Sequence, residues 1–120
     1  MSDQSREQVL DTERLRMLFS DDRDLLNEIY EIISTDFPEN ARLLNGAVES
    51  GDFEQITRYA HTLKGSIANI GGNRASGVCD RIHAASKQED IALCRSLLPE
   101  FNTQFDNFIE AFHRYVHGDS

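Results

Sequence analysis

Apolar residues return at intervals of three and four along almost the whole chain, and no stretch sustains an alternation of apolar and polar side chains. Such intervals keep side chains on one face of an α-helix, whereas a half-buried strand needs an apolar residue at every second position. The pattern defines an all-α chain.

A short helix over roughly Thr12 to Phe19 offers Leu15, Leu18 and Phe19 to a core, and Ser20-Asp21-Asp22 supplies a break and the next N-cap. A second helix, from about Arg23 to Glu49, carries Leu26, Ile29, Ile33, Phe37, Ala41, Leu44 and Val48 on one stripe that stays in phase through Pro38. An interior proline costs about 3 kcal/mol in an isolated helix, so packing has to offset it. Pro38 is therefore expected to kink this helix, with a split into two helices as the alternative. Ser50-Gly51 closes it, and Asp52 caps a third helix running to Ile70 before Gly71-Gly72, residues able to adopt the left-handed conformation. Asn73 is expected to cap a fourth helix to about Lys87, with Ala75, Val78, Cys79 and Ile82 as a narrow stripe among small residues. Asp90 opens the last helix, and Cys94, Leu97, Phe101, Phe105, Phe108, Phe112 and Val116 give it a long apolar face despite Pro99.

Two long and two shorter helices on short connections favour an antiparallel four-helix bundle, with the first short helix as a lid. The expected organisation is a flexible N-terminus over 1–11, the bundle over 12–117 and a tail over 118–120. With 120 residues, 39% of them apolar, the chain can bury one ordinary core, so one domain is expected.

A formal net charge of −9 sets the average surface field against nucleic acid and anionic lipid. The opening MSDQSREQVLDTER has no apolar run of the length a signal peptide or membrane span requires, so a soluble, cytoplasmic protein is expected. Met1 suggests a free-standing chain, and a monomer is expected. Cys79 and Cys94 form no framework spacing and read as free thiols in a reducing compartment. The Phe101, Phe105, Phe108 and Phe112 series lacks interleaved basic residues and reads as core, not as a stacking platform for bases.

The third helix carries the chemistry. Phe53, Ile56, Ala60, Leu63, Ile67 and Ile70 define its buried stripe. At about 100° per residue, His61 lies on the flank, where its ring should reach solvent. Lys64 and Gly65 follow one turn later, at the positions that neighbour His61 on the helix surface. A neutral imidazole is a competent nucleophile near neutrality, since a free one titrates at about 6.5, and it can hold a phosphoryl group covalently. Lys64 would offset charge on a phosphoryl group in flight. A mid-helix glycine costs roughly 1 kcal/mol relative to alanine, so Gly65 implies either a need for empty space or close packing against another helix. Ala68 extends the smooth strip.

These residues also carry a resemblance. The segment AHTLKGSIANIGG, with VCDRIH following, closely resembles the signature of histidine-containing phosphotransfer domains, the HPt modules of multistep phosphorelays, and the resemblance spans about residues 12–116. It implies that His61 is the phosphorylated histidine, that Lys64 and Gly65 are the lysine and glycine of the motif, and that Ser66 to Gly71 complete it. It implies the same antiparallel bundle with a short extra N-terminal helix. Ala75, Ser76 and Gly77 stand where the family usually has a large apolar residue, which predicts looser packing there. His83 stands where the family often has glutamine or glutamate near the active ring, so a second imidazole could hydrogen-bond His61 or respond to pH.

In this reading donor and acceptor are receiver domains of response regulators or hybrid histidine kinases, and the chain needs no cofactor, because Mg²⁺ sits on the receiver. Docking would use Ser66, Ile67 and Ala68 with parts of the second helix. No Gly-rich phosphate loop with a lysine-serine sequel occurs, so the phosphoryl group is expected to come from another protein, with the chain as a phosphotransfer intermediate without autonomous kinase or ATPase activity. The alternative is an adaptor that binds and regulates a receiver or kinase without being phosphorylated. A metal-binding or thiol-sensing protein would rest on Cys79, Cys94 and His83, but Cys79 lies on the apolar stripe and no second ligand pair is evident, so no metal is expected. His113 and His117 read as dipole-favoured residues of a fraying last turn, without a role.

Overall fold

The computed structural model describes residues 8–20 and 22–118. They form five helices: α1 (Thr12–Phe19), α2 (Arg23–Ser50), α3 (Phe53–Asn69), α4 (Asn73–Lys87) and α5 (Ile91–His117). Among the described residues there is no strand, and no helix is long and apolar enough to cross a membrane.

Four of the five helices start in the same way. The carboxylates of Asp11, Asp22, Asp52 and Asp90 accept from the backbone N–H three residues on, at Arg14, Leu25, Gln55 and Leu93, and so satisfy donors that a helix start leaves open. The fourth helix departs from expectation. Gly72, not Asn73, holds the N-cap of α4 and makes no side-chain cap bond, while Asn73 is the first helical residue. The reason is steric. A Cβ on Gly72 would lie 2.5 Å from Ile67 Cγ2 and 2.6 Å from Phe108 Cδ1, so the turn passes too close to the core for any other residue.

α2 and α5 run unbroken through Pro38 and Pro99. What keeps α2 helical past its missing donor is its buried face, with Ile33, Phe37, Ala41 and Leu44 in the core on both sides of Pro38. α3 packs against α2 and α4, and α5 packs against the same two helices, so the four longer helices surround one core. Its centre comprises Leu44, Val48, Ile56, Leu63, Ile67, Phe101, Phe108 and Phe112, all with 0% exposure.

α1 packs on α2 through a narrower stripe than expected. Leu15 and Phe19 are buried, but Leu18 is 44% exposed. Two turns lying on the outside of a filled core can bury one i,i+4 pair, and the residue about 100° round from Phe19 is left in solvent. Of the segment expected to be flexible, residues 1–7 lie outside the described ones. Residues 8–11 hydrogen-bond the α3–α4 turn: Asp11 N–H donates to Gly71 C=O at 2.8 Å, and Arg74 N–H to Gln8 C=O at 3.0 Å.

The looser packing expected at Ala75-Ser76-Gly77 is not what the structure has. Ala75 is fully buried, and Ser76 is 8% exposed with its hydroxyl donating to Lys64 C=O at 3.0 Å. Small side chains here let α4 approach α3 closely enough to bond its backbone. A second tie lies three turns away, where Thr57 and Ser86 hydroxyls meet at 2.7 Å and Ser86 donates to Phe53 C=O. Across the bundle, the Asn45 and Asn102 amides bond each other, and the Tyr30 hydroxyl meets His113 Nδ1 at 2.5 Å, so His113 joins α5 to α2 instead of standing free in a frayed turn.

Candidate functional site

α3 is held on its inner face by Ile56, Ala60, Leu63 and Ile67, none of which is exposed. This register turns His61 outward, and its ring is exposed to solvent. The helix that carries it is fixed at both ends, by the Asp52 cap and by the turn at Gly71 (φ +93°), a backbone conformation that glycine adopts without strain.

Around the ring the structure gathers three of the residues expected there. Lys64 is half-buried, and its Nζ pairs with Asp80 Oδ1 on α4 at 3.2 Å. Gly65 is exposed, and a Cβ built on it meets nothing within 4 Å. That decides between the two readings of this glycine: no neighbouring helix needs the space, which is open to an incoming molecule. His83 on α4 faces His61 with ring centroids 5.5 Å apart and planes tilted by 40°, a ring-to-ring contact. Burial, then the positive charges of Lys64 and Lys87 and the His61 ring, lower the His83 pKa below the ordinary imidazole value, with Asp80 acting in the opposite direction.

The residues expected to dock a partner divide. Ser66 and Ala68 are half-buried beside the open strip, whereas Ile67 is fully buried and belongs to the core. An i,i+4,i+7 stripe of Ile56, Ala60, Leu63 and Ile67 faces inward as a unit, so Ile67 cannot touch a partner on the His61 face without α3 rotating.

A shallow depression of about 590 Å³ runs along this face, lined by Arg14, His61, Thr62, Gly65, Ser66, Ala68 and Asn69. Arg14 was not foreseen from the sequence. It comes from α1, and its guanidinium is held by Asn69, with Nε donating to the backbone C=O at 2.8 Å and Nη2 to Oδ1 at 3.0 Å. The depression thus carries a guanidinium, from Arg14, along with the His61 ring, on a molecule whose net charge is −9.

Cys79 and Cys94 are free and buried, and burial, with Asp80 beside it, pushes the Cys79 thiol up to about 12. A thiol of that kind packs as a small apolar side chain.

An exposed imidazole on a helix fixed at both ends, flanked by a lysine and by a bare strip of backbone, is an arrangement suited to phosphoryl transfer. The family model of the Hpt domain matches residues 13–114, and the chain belongs to that family, whose role is histidine phosphotransfer in phosphorelays. The fold is similar to the crystal structure of histidine-containing phosphotransfer protein B (HptB) from Pseudomonas aeruginosa PAO1, with a TM-score of 0.84 and 21% sequence identity over 91% of this chain and 95% of that one. No curated protein sequence matches the chain.

Proposed function

We propose that His61 is the phosphoacceptor, and that the chain relays a phosphoryl group between the aspartates of two receiver domains, belonging to response regulators or hybrid histidine kinases. The single observation that supports this most is the outward His61 ring beside Gly65, whose Cβ position is empty. A lone pair on a ring nitrogen of His61 attacks the phosphorus of the receiver's acyl phosphate, the N–P bond forms, and the P–O bond breaks with the electron pair leaving on the aspartate carboxylate. Onward transfer is the same step reversed on a second receiver.

Lys64 offsets the charge that spreads over the phosphoryl oxygens. Its contact with Asp80 is easily exchanged, because the two side chains are 31% and 63% exposed and a solvated pair is worth little. Gly65, Ser66 and Ala68 form the floor on which the receiver sits, and Arg14 in the depression is suited to an acidic group on it. The chain itself needs no cofactor in this scheme, and Mg²⁺ is carried by the receiver.

We read the four longer helices as an antiparallel bundle over residues 12–117 with α1 as its lid, acting as a cytoplasmic monomer. The test is to mix the protein with a phosphorylated receiver and follow label. The expected result is an acid-labile phosphate on the wild-type chain and none on His61→Gln. Undiminished labelling of the variant overturns the assignment, and a variant that keeps its biological effect without label favours the adaptor.

A further inference from the structure

The His61 ring meets a second imidazole, and that contact bears on what happens after phosphoryl transfer. We propose that His83 is a positioning residue that takes up a proton from solvent when His61 is phosphorylated, and that the resulting imidazolium holds the phosphoryl group by a charge-assisted hydrogen bond. The inference rests on the reading of His61 as phosphoacceptor.

The geometry carries it. The two ring centroids are 5.5 Å apart, so a phosphoryl group on the His61 nitrogen nearer His83 would come within reach of that ring. His83 is half-buried on α4, and the Ser76 hydroxyl of α4 donates to Lys64 C=O of α3, so the two helices that carry the rings are tied together beside this contact. The charged groups around it are known. From α3 come Lys64 and His61 itself, and from α4 come Asp80 and Lys87. On the opposite flank of α4, Arg81 is engaged with Glu100 of α5 at 2.8 Å.

Before transfer, this setting favours the neutral ring. Burial disfavours the charged form, Lys64, Lys87 and His61 repel it, and Asp80 alone attracts it. A phosphoryl group on the near side of His61 then adds close to two negative charges beside His83, and an opposite charge within about 4–6 Å favours the protonated imidazole by one to three orders of magnitude in affinity. No atom changes oxidation state in this step. The N–P bond is made and the P–O bond broken as above, and one proton passes from solvent to His83.

The sign follows. If the phosphorylated state binds one more proton than the free state, lower pH favours the phosphorylated carrier across the interval between the two His83 titrations. The family's usual glutamine or glutamate at this position would not respond in this interval, so this chain would hold phosphate more firmly in acid-shifted conditions.

The experiment is an NMR titration of the His83 ring, with ¹⁵N-histidine labelling, in the free protein and in the protein phosphorylated by a receiver. The proposal expects the proton affinity of His83 to rise by about tenfold or more on phosphorylation. It is paired with the equilibrium of phosphoryl exchange with the receiver between pH 6 and 8, for wild type and for His83→Gln, where the wild type should show the steeper dependence. A His83 titration that does not move, with His61 labelled, overturns this proposal and leaves the phosphoacceptor reading intact. Equal pH dependence in the two proteins overturns it as well. Absence of any label on His61 overturns both.

Discussion

Gly65 offers a perturbation in which stability and function should move in opposite directions. Replacing it with alanine adds a Cβ that meets nothing within 4 Å, so no packing is lost. The backbone there is helical, in the middle of α3, and alanine is favoured over glycine at such a position by about 0.8–1 kcal/mol. For a domain of this size the melting temperature should rise by about 3–5 °C. The same methyl group stands on the strip beside His61 where a receiver has to approach, and a misplacement of about 1 Å at a reacting centre can cost up to a hundredfold in rate. Transfer from a phosphorylated receiver is therefore expected to slow by tenfold or more. Gly77→Ala is the control. Gly77 is also helical and also open, but at about 100° per residue it lies about 120° round α4 from His83, so it should gain the same stability and keep the wild-type transfer rate. Thermal melts with stopped transfer reactions on the three proteins decide it. A Gly65→Ala protein that transfers at the wild-type rate would refute the claim that this glycine serves the partner, and one that melts lower would refute the claim that its surroundings are empty.

The other glycine with a clear role should behave in the opposite way. Gly72→Ala forces a methyl group against Ile67 and Phe108, and overpacking of a filled core costs typically 1–3 kcal/mol, so its urea midpoint should fall without a change in slope. Cys79, with its thiol raised to about 12, should react with a thiol reagent only as fast as the protein opens, and denaturant should bring its rate up to that of a free cysteine.

Much of the fold was legible because it depends on short-range signals. Asp11, Asp22, Asp52 and Asp90 each bond a backbone N–H three residues on, and an aspartate before an apolar-periodic run announces that arrangement locally. Asn73 carried the same signal and misled, because the residue at the cap is decided by Phe108 on α5, which leaves room only for Gly72. Leu18 failed for a related reason: periodicity marks it as apolar, but only the size of the neighbouring surface says how many apolar residues α1 can bury.

At the site, His61, Lys64 and Gly65 lie within five residues on one helix, and their neighbourhood followed from helical geometry alone. Ile67 was assigned both to the core stripe and to the docking face, and the structure keeps only the first, since a residue with no exposure has nothing to offer a partner. The contact of His61 with His83 joins two helices and was suggested by family resemblance, not by spacing. Arg14 and Asn69 are 55 positions apart, and nothing in either residue's surroundings in sequence points to the other. Long-range pairs of this kind are set by how α1 lies across the end of α3, which no local pattern encodes.

The central claim is that one nitrogen of one side chain carries the phosphoryl group. ³¹P–¹⁵N correlation on protein phosphorylated by a receiver, with histidine ring nitrogens labelled, tests it at the bond itself. The account predicts a single phosphoramidate resonance coupled to the His61 ring. A phosphorus signal coupled to His83, His113 or His117, or to no histidine nitrogen at all, would contradict it.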